Sequence, residues 1–377
     1  MKIKIAKSSF GEGVYGQVLT ARSGDETYAF KRFTNGLDES AIREIGVCAL
    51  LKKVAPDQIA RVKGFKIKRG HIGVLMEKAT TNLWQWTQDY DIRERKRNFP
   101  DIVDRCMKSL GALHVCDIVH GDIKSENILV WVEGETVTKC VLADFGLSSS
   151  YPDQKHDSIY TPNYRPPETW LEDKAVKASD VWALGVTFVD CILDTLIFYN
   201  YTVDMYVKDK IVPYIERKRD RVYAFTGEKH GKKIMKMLEW EPENRLKMPV
   251  VEVDILERRW KEDDQSLRRG LERIQNECKT RALKRHTFCL AADIYLRYFH
   301  DRECPSYSDL YGVVALWIAT GWGELWPLET SDFDFMPSKL WETKIEMMVA
   351  LKGVVWIPMD VDKIGQMVND RLSKNEN

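Results

Sequence analysis

The chain has 377 residues, 44% of them apolar, and its 57 Lys+Arg are balanced by 57 Asp+Glu. That length allows two or three domains, and the apolar share is ordinary for a folded chain. The charge balance removes any whole-molecule argument for nucleic-acid or membrane-surface binding, and no apolar run of about 18 residues offers a transmembrane helix. Met1 to Phe10 alternates lysine with apolar residues and lacks the continuous apolar core of a signal peptide. The eight cysteines show no Cys-x-x-Cys spacing. They read as reduced thiols filling an intracellular core, cytoplasmic or nuclear, and not as a zinc site or a disulfide frame.

In chain order, residues 1–79 read as short strands, one helix, then strands. Gly11-Glu12-Gly13-Val14-Tyr15-Gly16-Gln17-Val18 is a glycine-rich turn between two strand-like runs, of the kind whose backbone can approach phosphates closely. A dinucleotide-binding turn would open a helix, whereas Gln17-Val18-Leu19 continues as a strand. Tyr28-Ala29-Phe30-Lys31 is a strand ending in lysine. From Glu39 to Leu51 the apolar residues Ala41, Ile45, Cys48 and Leu51 recur at three- and four-residue steps, which predicts a helix. Val74-Leu75-Met76-Glu77-Lys78-Ala79 is a last strand and a connection. Asp101 to His114 again has helical spacing.

Next comes His120-Gly121-Asp122-Ile123-Lys124-Ser125-Glu126-Asn127-Ile128-Leu129, with three polar groups at fixed offsets between apolar runs. Phosphoryl transfer needs such a set: a carboxylate to accept the attacking hydroxyl's proton, an amine to reach the moving phosphate, and an amide to hold a metal ion. Trp131 to Cys140 reads as a hairpin with Gly134 in its turn. It leads to Leu142-Ala143-Asp144-Phe145-Gly146. Loop, spacing and order resemble the protein-kinase signature set.

The resemblance implies an α+β bilobal kinase fold, with a β-rich small lobe (1–79) and a helical large lobe (80–250). It implies ATP and Mg2+. Asp122 would be the base, with Lys124, Asn127 and Thr161 around it. Asn127 and Asp144 would hold the metal, and Lys31, paired with Glu44, would align ATP. Gly11, Glu12, Gly13, Val14, Tyr15, Gly16, Val18, Ala29 and Met76 would line the nucleotide. Glu77 and Ala79 would offer backbone groups to the adenine edge. Glu168 would pair with Arg245, and Asp180 would brace the catalytic loop.

Ser40-Ala41-Ile42-Arg43-Glu44-Ile45 closely resembles the cyclin-binding helix of cyclin-dependent kinases. Tyr160-Thr161-Pro162-Asn163-Tyr164-Arg165-Pro166-Pro167-Glu168 resembles the end of their activation segment, with Pro166 for alanine. Thr161 is a mark of serine/threonine specificity in that family, and Arg165 of Ser/Thr-Pro substrates. The chain also departs from the family. Three arginines normally grip a phosphorylated threonine. Here Gly121 and Ser149 stand at two of those places, only Arg43 remains, and the segment carries His156, Asp157 and Ser158 where the threonine would be. One arginine cannot neutralise a phosphate as three can, so activation-loop phosphorylation is expected to be dispensable. Tyr15 matches an inhibitory phosphorylation site of the family, and it reads equally as an aromatic roof over the phosphates.

Residues 251–265 read as a linker or bridging helix, and 266–372 as a helical bundle. Helices are predicted over Ser266–Thr280, Leu283–Phe299, Ser308–Thr320 and Lys339–Leu351, with an apolar run near Val354–Pro358. Phe288, Ala291, Ala292, Tyr295, Leu296 and Phe299 share one face of the second, and the nearly all-apolar third is expected to be central. Thr287 to Phe299 and Leu310 to Thr320 look like the second and third helices of a cyclin box. Ile345 to Val349 would be its fifth, bringing Glu346 to the kinase helix. The lysine that ends the third helix in cyclins is Gly321 here. These resemblances imply a cyclin-like domain that activates the kinase in cis by holding the Ser40–Ile45 helix in, helped by the high effective concentration of a tether. Two other readings stand beside this one. In one, the chain is a pseudokinase scaffold whose bundle recruits a partner. In the other, an external cyclin activates the kinase while the bundle binds elsewhere. A compact kinase fused to a single box is similar to what large DNA viruses carry.

Overall fold

A computed structural model describes residues 3–13, 16–68, 71–150, 160–172, 174–254, 265–305, 307–323, 328–355 and 361–373. The chain divides into two compact units, one of Met1–Val54, Val62–Met76 and Asp254–Asn377, the other of Ala55–Arg61 and Glu77–Val253.

The first unit opens with strands β1 (Lys4–Gly13), β2 (Gly16–Ser23) and β3 (Glu26–Phe33), then helix α1 (Glu39–Val54), then strands β4 (Val62–Lys68) and β5 (His71–Glu77). Their order in the sheet is β1-β2-β3-β5-β4. Side chains alternate between the faces of a strand. Leu19, Ala21, Tyr28, Phe30 and Leu75 form one buried cluster, so Ala29, Lys31 and the cross-strand partner of Lys31, Val18, belong to the other face.

The second unit holds β6 (Thr81–Asn82), α2 (Leu83–Asp89), α3 (Ile92–Val115), β7 (Ile128–Glu133), β8 (Thr136–Leu142), α4 (Pro167–Glu172), α5 (Lys177–Leu193), α6 (Lys208–Glu216) and α7 (Arg219–Met237). β7 and β8 form the expected hairpin, with Gly134 at φ +61° in its turn. α3 starts at Ile92 and not at Asp101, and Pro100 lies inside it. Its true start carries a capping box: Asp91 accepts the N–H of Arg93 at 2.7 Å and of Glu94 at 3.0 Å, and Glu94 Oε2 accepts the Asp91 N–H. α3 packs on β8, and the buried α5 packs on α7.

The chain then returns to the first unit, where Asp254 N–H donates to Val54 O at 2.9 Å at the end of α1. Five helices follow: α8 (Arg268–Thr280), α9 (Arg285–Tyr298), α10 (Ser308–Gly323), α11 (Pro337–Ala350) and α12 (Val361–Ser373). Four match the expected helices to within a few residues, and α12 was not expected. α9 buries Cys289, Leu290, Asp293 and Ile294 as well as its predicted stripe, whereas Phe288 is only half-buried. α10 packs against α8, α9, α11 and α1. Residues 255–264 of the expected linker and Trp356 to Pro358 lie outside the described residues. All eight cysteines are free thiols, seven of them buried. Among the described residues no helix is long and apolar enough to cross a membrane.

Candidate active site

In the first unit, α1 is buried on nearly every side. Twelve of its sixteen residues are buried, including Ile42, Val47, Ala49 and Leu50, which the predicted stripe did not contain. The C-terminal helices cover those extra positions. A Cβ added at Gly46 would lie 2.6 Å from the Trp322 ring and 2.7 Å from Val355 Cγ2, so α1 and α10 meet where no side chain fits. Gly353, at φ +78°, lies equally close to Ile45, and Ala49 clusters with Val354 and Phe65.

This packing holds Glu44 with its side chain only 2% exposed. Glu44 Oε2 lies 3.1 Å from the Nζ of Lys31, on β3. Ala29 and Met76 are buried and Val18 half-buried. Gly11, Glu12 and Gly13 pair with Val18, Gln17 and Gly16 across β1 and β2. Gly16 has a local reason to be glycine: a Cβ there would sit 2.4 Å from the Arg32 carbonyl oxygen. Val14 and Tyr15 lie outside the described residues, as do His156, Asp157 and Ser158.

Two expectations about the bundle change. Glu346 does not bond α1; its carboxylate accepts the hydroxyls of Tyr298 and Tyr311, on α9 and α10. Gly321 does face α1, since a Cβ there would lie 3.4 Å from both Glu39 and Ile42. The cation near that end of α1 is Lys344 of α11. It is 1% exposed, with its Nζ 3.6 Å from the Trp317 ring centroid and 5.1 Å from that of Trp341. Burial brings its pKa down to about 7, and the carboxylates of Glu39 and Asp38 act the other way. Asp38 Oδ1 accepts the Ala41 N–H at 2.8 Å and so caps α1. Burial raises the Asp38 carboxyl above its ordinary value.

In the second unit, Asp122 is 8% exposed and its carboxylate is crowded with donors. Oδ1 accepts the Thr161 hydroxyl at 2.8 Å and the Thr161 N–H at 3.2 Å. Oδ2 accepts Lys124 Nζ at 2.9 Å and Asn127 Nδ2 at 3.0 Å. Lys124 Nζ also reaches Thr161 Oγ1 at 3.0 Å. An ionised carboxylate offers about four lone-pair sites, so all are in use. Asn127 further donates to Asp122 O at 2.8 Å. Asp144 lies at φ +64°, and the preceding Ala143 N–H donates to Asn127 O at 2.8 Å.

The loop rests on Asp180, which is fully buried in α5. Its carboxylate accepts the N–H of His120 at 2.8 Å and of Gly121 at 3.1 Å, the Tyr160 hydroxyl at 2.9 Å, and pairs with His114 Nε2 at 3.0 Å. Burial pushes this carboxyl up, but the His114 bond and charge, with the further bonds, leave it below its ordinary value. Burial lowers the His120 pKa despite nearby carboxylates. The neutral ring accepts the Asp122 N–H at Nδ1 (3.2 Å) and donates from Nε2 to Ala143 O (3.1 Å). Glu168 and Arg245 make a bidentate pair, both bonds 2.7 Å, with Ser179 Oγ donating to Glu168 Oε1. At the connection, the Glu77 N–H is taken by Arg61 O at 2.9 Å. Of Glu77's two backbone groups, then, the carbonyl is the one left for the adenine role. Ala79 is half-buried. Tyr160, His114 and Lys344 were not singled out from sequence as holding these elements, and no local pattern marks them.

These two sets of residues lie in one recognised domain. The sequence matches the family described as protein kinase domain over residues 5–260, and the chain belongs to that family. It is 29% identical to the cyclin-dependent kinase 4 homolog of Caenorhabditis elegans over 195 residues, 47% of this chain and 46% of that protein. It is 30% identical to the human cyclin-dependent kinase-like 4 over 204 residues, half of each chain. A probable serine/threonine-protein kinase of Dictyostelium discoideum is 26% identical over 217 residues, 52% of this chain and 41% of that one. The chain thus spans about half the length of the curated relatives it matches. Among solved structures, the CAK complex of Chaetomium thermophilum bound to ATP-γ-S contains a similar chain. That likeness has a TM-score of 0.53 and 20% identity, and covers 66% of this chain and 88% of that one. It supports the fold: a β-sheet lobe and a helical lobe.

Proposed function

We propose that the chain is an ATP-dependent serine/threonine protein kinase resembling cyclin-dependent kinases, activated in cis by its C-terminal helices and independent of activation-loop phosphorylation. The observation that carries the catalytic part is the Asp122 carboxylate, held between Thr161, Lys124 and Asn127. Asp122 accepts the proton of a substrate hydroxyl. Because its lone pairs are filled, one donor must yield. Lys124, with a side chain 24% exposed, is the one able to swing from Asp122 to the phosphoryl group. Lys31, fixed by Glu44, orients the nucleotide phosphates. Asn127 and Asp144 supply hard oxygen donors, amide and carboxylate, which suit magnesium sharing phosphate oxygens, and the Ala143–Asn127 bond ties their two segments together. That ion would neutralise charge on the phosphates.

A Ser/Thr-Pro preference is supported by Tyr160. Its carbonyl is occupied by Arg165 Nη2 at 3.2 Å and so is withdrawn as an acceptor for a substrate N–H, which proline does not have. The cis part is supported by the cover on α1: Gly46 against Trp322 and Val355, and Gly321 against Glu39 and Ile42. The likeness of these helices to a cyclin box is part of the proposal.

The test is transfer of γ-phosphate by the full-length chain to paired Ser-Pro and Ser-Ala peptides. Transfer favouring Ser-Pro is expected. Nucleotide binding without transfer to any peptide would leave the scaffold reading in its place. Activity that rises only when a separate cyclin is added would replace the cis part alone.

A further inference from the structure

The proposed kinase has no arginine at Gly121 or Ser149 to grip a phosphate, yet the end of its activation segment is firmly tied. The tie is Tyr160, which is 1% exposed. Its N–H donates to Gly121 O at 2.8 Å. Its hydroxyl donates to Asp180 Oδ1 at 2.9 Å, and the same oxygen accepts the Gly121 N–H at 3.1 Å. Tyr160 and Gly121 are therefore joined twice, directly and through Asp180, in a closed ring of hydrogen bonds. Both lie at positive φ, +62° for Tyr160 and +80° for Gly121. The glycine takes that conformation freely. A tyrosine holds it only where its surroundings over-determine it. A buried tyrosine serving only as core filler would not aim its hydroxyl at a carboxylate; a phenylalanine would fill the space as well.

We propose that Tyr160 is a positioning residue that latches the end of the activation segment to the catalytic-loop turn and replaces a phosphate–arginine clamp. The inference rests on the kinase reading above. Its effect passes through the next residue, because Thr161 bonds Asp122 with both its N–H and its hydroxyl. If the phenol lets go, the strained backbone at Tyr160 relaxes and Thr161 leaves the carboxylate. Burial and the Asp180 charge keep the phenol protonated, as a donor must be. The latch needs no added phosphate because its anion, Asp180, is built into α5.

The experiment uses the full-length chain, made in a host without protein kinases of its class and treated with phosphatase. Three proteins are compared at a temperature where all are folded: wild type, Tyr160→Phe, and Tyr214→Phe, which loses a hydroxyl bonded to Ile197 O at 2.9 Å. The wild type should be active. Tyr160→Phe should lose about 10- to 100-fold in kcat, the scale of a hydrogen bond to a buried charge, with the KM for ATP unchanged. Tyr214→Phe should match the wild type. Exchange of the Thr161 amide hydrogen should quicken in Tyr160→Phe alone. Wild-type kcat in Tyr160→Phe overturns the latch and leaves the kinase reading standing. So does a phosphatase-treated wild type that wakes only on phosphorylation by an activating kinase. If no protein transfers phosphate, the kinase reading fails, and unchanged Thr161 exchange in Tyr160→Phe then overturns the latch on its own.

Discussion

The catalytic loop and the α1 helix are built on opposite plans. Around Asp122, four donors from three residues fill one carboxylate, and Asp180 ties the loop from below through backbone N–H groups. Every group there is polar, short-ranged and directional. Around α1 the determinants are apolar and steric: glycines at 46 and 353 where other side chains would collide, and tryptophan rings beside a buried lysine. The first plan fails when a functional group is removed. The second fails when an atom is added.

The largest effect should come from the polar plan. Asp122→Asn removes the proton acceptor but keeps the shape, and turnover should fall by about 100- to 10,000-fold with ATP affinity retained. Steady-state kinetics beside nucleotide titration checks this; residual turnover within tenfold of wild type would take the base role from Asp122. Next is Arg245→Ala, which leaves Glu168 buried without its bidentate partner. The cost should be about 3–5 kcal/mol, read as a lowered denaturation midpoint.

The steric plan predicts smaller losses from added atoms. Gly46→Ala should cost about 1–3 kcal/mol by overpacking against Trp322 and Val355. Gly64→Ala, where nothing lies within 4 Å, should stay within about 0.5 kcal/mol. If α1 is held in by these contacts, Gly46→Ala should also lower kinase activity while Gly64→Ala does not. Equal melting of the two variants would erase the contrast.

The smallest effect is a pH dependence. Lys344 has a folded pKa of about 7 against an ordinary 10.5. Between those values the unfolded chain holds the extra proton, so this residue makes stability rise with pH. From pH 7 to 9 the melting temperature of the wild type should gain more than that of Lys344→Met. Parallel curves would mean that Lys344 keeps its charge inside the bundle.

The two plans also differ in how they could be read. Asp122, Lys124, Asn127 and Asp144 sit in short runs whose chemistry depends on sequence offset, so the spacing alone carried them. The Glu168–Arg245 pair and the Asp180 brace followed from the same resemblance. The hairpin over β7 and β8 was marked by Gly134. Even the start of α3 was written in Asp91 and Glu94, although Pro100 drew the expected boundary inward. The α1 stripe was half-legible. Ala41 and Ile45 repeat with helical period, but Ile42, Val47 and Ala49 are buried only because distant helices lie on them.

Determined by the sequence itself were the kinase motifs, the strand–helix order of both lobes and four of the five C-terminal helices. Local periodicity and fixed spacing are properties of neighbouring residues. The tertiary structure alone decided that Glu346 serves Tyr298 and Tyr311, that Lys344 stands where Gly321 offers no cation, and that Tyr160 reaches Asp180. Each of these joins residues far apart in the chain by packing or by a single hydrogen bond, and such pairings leave no periodic trace to read.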